Sequence, residues 1–549
     1  MANLPVRSLG EVGIITDVNA HDLVPNAFSN GSNVLFRDNT VVRAPVFKDL
    51  FDQTAQVAQE DGPVTAFNYN DPDSGAIYGV AYDDNTVVEY DNGVSSSVTP
   101  SGAVTSGSSS TPWTHTEIAG LSILCRKSAE PYIRDSVVSN TYQLMSTNDW
   151  PAADRASAMR GFKDFIIALN VTAGGTDYDT MVKWTDGIAY KANVTSVEWT
   201  ASASNLAGSN ILTDFKTPIV DGLALGNMFL IYSTTESAIM EYTGSSNVFS
   251  FRNFYQGDGV INQNCVASTG KEHFVFGDTD IYMHNGVTVQ SLAQSRVKNK
   301  IYADMVRDQQ SRFFVHLDQV NDLVYFCYVS AESNVPFTSS EYCNRAAVYD
   351  IKSKTWTFVD LPNTFGAAYT NVSLSSSTYA NISGSYAANA NKYAQYEDTS
   401  PRISAFASAR DDNNSLTEGR VYANDMLLTG LLSAPSNSET LKTAFVERVG
   451  IDVDETKAPL RSYKQINSII PQITTVGGTD QVRVKVGATD FPHDTSPNYV
   501  TNYLFTPSTD HKVDSRAAGR LVAYRVEEEN GNFFNFSAAD FEITVNSGR

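Results

Sequence analysis

AIYGVAYDDNTVVEYDNG, residues 76–93, is the stretch on which the fold turns. Ala76-Ile77-Tyr78-Gly79-Val80-Ala81-Tyr82 and Thr86-Val87-Val88-Glu89-Tyr90 are rich in β-branched and aromatic residues, and Asp83-Asp84-Asn85 between them is turn chemistry. Two such runs around a turn cluster read as an antiparallel hairpin. The hairpin ends in an aromatic, polar residues and glycine, Tyr90-Asp91-Asn92-Gly93, and that ending returns along the chain. Trp184-Thr185-Asp186-Gly187, Tyr242-Thr243-Gly244 and Met283-His284-Asn285-Gly286 repeat it, with Tyr132-Ile133-Arg134-Asp135-Ser136 as a degenerate member.

The four glycines are spaced by 94, 57 and 42 residues. Counting the degenerate member, the mean period is roughly 48 residues, within the range of propeller blades. Each ending closes a pair of strand-like runs. Phe165–Leu169 precedes Met181–Trp184, Phe229–Tyr232 precedes Ala238–Tyr242, and Phe274–Phe276 precedes Ile281–Met283. With the weaker unit near residues 121 to 136, that makes five. A sixth sets Leu323–Tyr328 against Ala346–Asp350 and continues to Trp356, so that the rings of Tyr349 and Trp356 can pack between neighbouring sheets. A lone hairpin cannot bury both faces, and repeated units of this length protect one another's edges by stacking around an axis. The expected fold is mainly β, a β-propeller of about six blades, with Tyr90, Trp184, Tyr242, Tyr349 and Trp356 as its structural aromatics.

The chain is 549 residues, long enough for two to four domains. With 27 Tyr and 28 Phe but only 18% charged residues, its composition favours strands. The net charge of −22 argues against a basic groove that grips nucleic acid by its phosphates. It leaves open a surface past which a duplex slides without sticking. Four cysteines, Cys125, Cys265, Cys327 and Cys343, are too few for a disulfide framework. Cys327 and Cys343 flank one long loop and could pair, but four reduced, half-buried thiols are the favoured reading. The start lacks the pattern of an export signal, and no apolar run reaches the ~20 residues of a membrane span.

Residues 1–60, broken by Pro5, Pro25 and Pro45, read as an extended arm. Residues 61–366 carry the hairpins. Residues 367–400, rich in Ser, Asn, Ala and Tyr, read as a polar linker or tip, and Val94 to Ser110 as an exposed loop. Residues 401–549 alternate cleanly at Phe445–Asp452, Val482–Val486, Leu521–Val526 and Phe541–Val545, which predicts a second β domain of sandwich type. Helical signal is confined to Pro151–Arg160 and to about Leu292–Arg307, where Val297, Ile301 and Met305 share a face.

Catalytic, cofactor-binding and metal-binding patterns are not found. The seven histidines include no His-x-x-x-His zinc pair. His273 and His284 lie on opposite strands of one hairpin but lack an evident third ligand. Phosphate-cradling glycine loops and nucleophile elbows are missing. Asp71-Pro72-Asp73-Ser74-Gly75 read as a calcium loop puts Tyr82 where a bidentate Glu belongs, and it reads better as a solvated turn, as does Asp452-Val453-Asp454-Glu455. Paired carboxylates acting on a sugar remain a rival.

The opening stretch VRSLGEVGIITDVNAHDLVPNAFSNGSNVLFRDNTVVRAPVF resembles the amino-terminal segment of the tail nozzle proteins of short-tailed bacteriophages, also called tail tubular protein B or packaged-DNA stabilisation proteins. The similarity rests on Gly13–Asp17, Leu23–Ala27, Asn33–Arg37 and Arg43-Ala44-Pro45. Phe445–Asp452, Gly519-Arg520-Leu521 and Ala539–Ile543 resemble the closing sheet of that family, while residues 545–549 keep only a trace of its usual ending. The resemblance implies a structural virion protein without enzymatic activity or cofactor, located in the phage tail and assembled in the host cytoplasm. It would be a homohexameric tube below a tail adaptor ring, a conduit and gate that retains packaged double-stranded DNA and passes it during ejection. The arm and the carboxy-terminal domain would join into a platform, with Arg7, Arg37 and Arg43 as candidate adaptor or subunit contacts, each also a candidate intramolecular pairing residue. Tail fibres or spikes are further implied partners, with a host outer-membrane receptor as another candidate, and loops near residues 94–110 and 367–400 are gate candidates. The rival function is a propeller-based host-surface adhesin or glycan-active tail protein.

Overall fold

A computed structural model describes residues 2–50, 63–72, 75–82, 86–91, 94–100, 111–135, 141–245, 247–332, 341–371, 402–409, 420–424, 443–452, 462–476, 480–492, 494 and 496–546. The protein is mainly β, built from many small antiparallel sheets. It divides into two compact units, one of Phe47–Lys271 and Asn363–Ser438, the other of Met1–Val46, Glu272–Pro362 and Glu439–Arg549. These limits differ from the expected ones at 60, 366 and 400. Residues 47–49 pair with Arg420–Asn424, and 272–362 group with both chain ends, so contacts across long sequence separations, not composition, set the division.

Among its described residues the first unit holds four four-stranded sheets, each an up-and-down meander of consecutive strands. The first runs Pro63–Asp71, Gly75–Tyr82, Val87–Asp91 and Val94–Ser97. The second is Thr114–Ile118, Leu121–Cys125, Tyr132–Arg134 and Gln143–Leu144. The third is Arg155–Phe162, Phe165–Ala173, Thr176–Trp184 and Gly208–Ile211, and the fourth Ile219–Leu225, Met228–Ser233, Glu236–Tyr242 and Phe249–Gln256. The first strand of each sheet lies against the first strand of the next. Apolar side chains fill the seams: Ile123, Ile133, Met159 and Ile166 between the second and third sheets, and Phe162, Leu169, Phe229 and Met240 between the third and fourth. The same unit pairs the distal part of Thr355–Asn371 with Arg402–Ser408, and Tyr78, Val80 and Tyr90 share a core with Ala368, Ala405 and Val421.

All hairpins expected in this region form. Ile167 faces Trp184, Leu230 faces Ile239 and Tyr78 faces Tyr90. At the tip of the third sheet Ala173 pairs with Thr176 across Gly174 and Gly175, both at positive φ (57° and 80°), the backbone of a tight hairpin turn. The turns at residues 83–85 and 92–93 lie outside the described residues. Two expectations are corrected. Arg155–Phe162 is a strand where Pro151–Arg160 was expected to be helical: Ala156 and Ala158 are fully buried, their small side chains serving inter-sheet packing rather than helix propensity. Val94–Ser97 closes the first sheet as its edge strand rather than belonging to an exposed loop.

In the second unit, Val34–Arg37, Thr40–Arg43, Phe534–Asn546, Tyr463–Thr475 and Val513–Asp514 form one sheet, to which Ala2–Val6 adds by pairing with Phe534–Asn546. A second sheet orders Asn30–Ser32, Ala444–Ile451, Leu521–Glu528, Val482–Thr489 and Asn498–Phe505. Tyr524 of this sheet packs on Phe536 and Phe541 of the other, with Phe28 alongside. Residues 272–362 supply the expected hairpins of His273–Phe276 with Ile281–His284 and of Leu323–Tyr328 with Cys343–Asp350. The expected helix near 292–307 is confined to Lys298–Asp304, with Val297, Ile301 and Met305 buried. All four cysteines are buried thiols outside any disulfide, so the alternative Cys327–Cys343 bridge is not formed.

Candidate functional site

In the second unit the amino-terminal strand pairs with the carboxy-terminal one. Val6 pairs with Ala539, Pro5 with Asp540, Leu4 with Phe541, Asn3 with Glu542 and Ala2 with Ile543. Arg7 continues the seam with an exposed ion pair to Asp540 at 2.9 Å. Further in, Asn30-Gly31-Ser32 pairs with Phe445–Glu447, and Arg448 reaches from that strand to donate to the Ala20 and Leu23 carbonyls at 2.6 and 2.8 Å. Arg448 is almost wholly buried, and burial lowers its pKa to about 10, so its charge is held by carbonyl dipoles rather than by a carboxylate. Asn33 exchanges two side-chain hydrogen bonds with Asp360, its Nδ2 donating to Oδ2 at 2.8 Å and its Oδ1 accepting from the backbone N–H at 2.9 Å.

The three candidate contact arginines all have intramolecular partners. Arg43 is buried against the fully buried Glu528, with Nη1 2.5 Å from Oε2. Arg37 donates to the Asn321 carbonyl at 2.8 Å and lies 3.6 Å from Asp350. Arg7 alone is largely exposed.

The hairpin aromatics fall into separate groups. Trp184 and Tyr242 are brought together around Phe249, at ring distances of 5.1 and 5.8 Å. Gly208 gives Trp184 its room, since a Cβ there would stand 2.8 Å from the indole. Tyr349 and Trp356 meet at 5.1 Å, and the Trp356 indole N–H donates to the Leu292 carbonyl. Tyr90 packs near Tyr78, and burial raises its pKa to about 12. His273 and His284 are directly cross-strand, rings 5.3 Å apart, and among the described residues no three metal-binding side chains converge.

Two buried ionic clusters escaped the sequence reading. Arg160 spans three sheets of the first unit: Nε and Nη2 donate to the two carboxylate oxygens of Asp221, Nη2 also to Asn264 and Nη1 to the His115 carbonyl. Arg134 donates to Glu89 and to Tyr69, whose hydroxyl donates in turn to Glu89 at 2.9 Å. Burial pushes the Glu89 carboxyl up, and Arg134 pulls it back. The available signal was a charged residue amid small and apolar ones, as in Ala156-Ser157-Ala158-Met159-Arg160 and Tyr132-Ile133-Arg134. Taken together, these groups hold sheets and chain ends in place; none of them presents a nucleophile beside a base at an open surface.

No family model and no curated protein matches this chain. Among solved structures, the crystal structure of a computationally designed protein is similar at 8% identity, with a TM-score of 0.36 over 68% of this chain and 99% of that one. A likeness at that level carries no argument about function.

Proposed function

We infer that the protein is a structural subunit of a short-tailed phage tail, a nozzle that assembles as a homohexameric ring and passes double-stranded DNA. One observation carries this reading: separated segments that resemble the nozzle family are bonded to one another, Val6 to Ala539, Asn30–Ser32 along Phe445–Glu447, and Arg448 into the carbonyls of Ala20 and Leu23. A platform built from an arm and a carboxy-terminal domain requires that union. The two sheets of this unit then read as a β-sandwich-like platform. The serial four-stranded meanders, first strand against first strand, read as blades of a β-propeller. In this reading the net charge of −22 per subunit lines the passage with repulsion rather than binding wells, so the duplex moves without sticking. Of the gate candidates near 94–110 and 367–400, Val94–Ser97 and residues 367–371 are paired strands, not loops, because each completes a sheet with its neighbour, and residues 101–110 and 372–400 lie outside the described residues. Arg7, exposed and at the seam, is the arginine best placed to meet an adaptor.

The test is imaging of the assembled particle by electron microscopy, with antibody or gold marking of this chain. Six-fold rings with a central opening at the tail's distal end are expected. A different rotational order, or a solid unperforated assembly, overturns the reading.

A further inference from the structure

In the hairpin of Pro63–Asp71 and Gly75–Tyr82, Asn68 and Asn70 are two residues apart and share one side of the strand. Thr355–Asn371 pairs Thr370 with Ile403 and Asn371 with Arg402. A cleft of about 170 Å³ lies among Asn68, Asn70, Ile77, Tyr369, Thr370 and Arg402, all within one compact unit. The Arg402 guanidinium is stacked over the Tyr369 ring, 4.3 Å from its centroid, and among the described residues it meets no carboxylate. The side-chain amides of Asn68 and Asn70 have no hydrogen-bond partner among the described residues either. The Asn70 backbone N–H donates to the Glu117 carboxylate at 3.0 Å.

We propose that this cleft binds one acidic sugar residue, its carboxylate on Arg402 and its hydroxyls on Asn68 and Asn70. A guanidinium seated over an aromatic ring still offers its planar fork of donors, which matches a carboxylate. Two amides offer both donors and acceptors, which suits hydroxyls and is wasted on a bare anion. The volume is below the roughly 300–1,000 Å³ of drug-sized sites, so it suits a single ring and excludes a nucleotide or an oligomer lying wholly inside. The polar lining offers a lipid chain nothing. The site does not depend on the conduit reading.

Isothermal titration of the full chain with sodium D-glucuronate tests it, with D-glucose, acetate and inorganic phosphate as controls. Saturable binding of glucuronate is expected, at least tenfold tighter than any control. Arg402→Ala should weaken it at least tenfold, and Arg402→Lys less; Asn70→Asp should weaken it several-fold by placing a second negative charge in the cleft. Arg402 and Asn70 are exposed, and circular dichroism checks that the variants fold. A glucuronate-containing tetrasaccharide separates the sources: binding at least as tight as the monosaccharide assigns the site to an acidic polysaccharide, whereas binding of the monosaccharide alone assigns it to the free sugar acid. Equal binding of acetate or phosphate, no binding of glucuronate, or unchanged affinity in both Arg402→Ala and Asn70→Asp overturns the proposal.

Discussion

Arg160 grips Asp221 with two parallel hydrogen bonds, Nε to Oδ1 at 2.9 Å and Nη2 to Oδ2 at 2.7 Å, while the Asp221 side chain is wholly withdrawn from solvent. The same carboxylate accepts the backbone N–H groups of Gly222 and Asn264, and Asn264 donates onward to the Trp113 carbonyl. One ion pair therefore fixes the mutual position of three successive sheets.

Removing one partner leaves a buried, uncompensated charge. Arg160→Ala is expected to cost about 3–5 kcal/mol, read as a lower urea midpoint, because the cost of an orphaned charge exceeds the value of the pair. The double variant Arg160→Met, Asp221→Leu should recover much of that loss. A double variant as unstable as the single one would show that the pair acts through hydrogen bonds to the backbone rather than through charge.

His284 gives the native state a pH dependence. Burial first, and the neighbouring His273 second, lower its pKa from 6.5 to about 3, and its Nδ1 accepts from the Gly286 N–H, a role open only to the neutral ring. Between about pH 3 and 6.5 the unfolded chain binds a proton that the native chain does not, so stability rises with pH across that window and this group adds no slope above it. Its share is about 1.4 kcal/mol per pH unit. Urea denaturation from pH 4.5 to 7.5 should show His284→Asn losing a one-proton slope relative to the parent chain.

The four thiols should be silent in the native state. All are buried, and burial raises the Cys125 pKa to about 12 and the Cys343 pKa well above its ordinary value. Ellman's reagent should label none within minutes in native buffer and all four in denaturant. Rapid labelling of Cys327 or Cys343 would mean that their hairpin opens.

Deleting residues 2–6 should unmask the edge of Phe534–Asn546. Val6 is buried, and losing it alone costs about 1.5–3 kcal/mol. The bared edge is a template for strand addition, so the truncated chain should also associate at concentrations where the parent chain does not, measurable by light scattering. Unchanged stability and unchanged scattering would place little energy in the terminal seam.

The hairpins were legible because each is local: alternation, a turn cluster and an aromatic close occur within about thirty residues, as at Phe165–Ala173 and Thr176–Trp184. Arg155–Phe162 was misread because Ala156 and Ala158 favour a helix in isolation and are small here for packing. Pairings such as Asn30 with Glu447 leave no periodic trace, since register between distant strands is chosen by the assembled core. Arg134, Arg160 and Arg448 are made internal by neighbours tens to hundreds of residues away, which no local pattern encodes. The cleft beside Arg402 was equally hidden, because its lining comes from segments some three hundred residues apart.

The bond between Ala2–Val6 and Phe534–Asn546 sets a timetable for biosynthesis. More than five hundred residues separate the partners, so at roughly 5–20 residues per second the first strand leaves the ribosome on the order of half a minute to two minutes before its mate exists. During that interval the meanders of residues 63–256 can fold on their own local contacts, while the leading strand waits. The sheet can close only after Phe534–Asn546 has emerged.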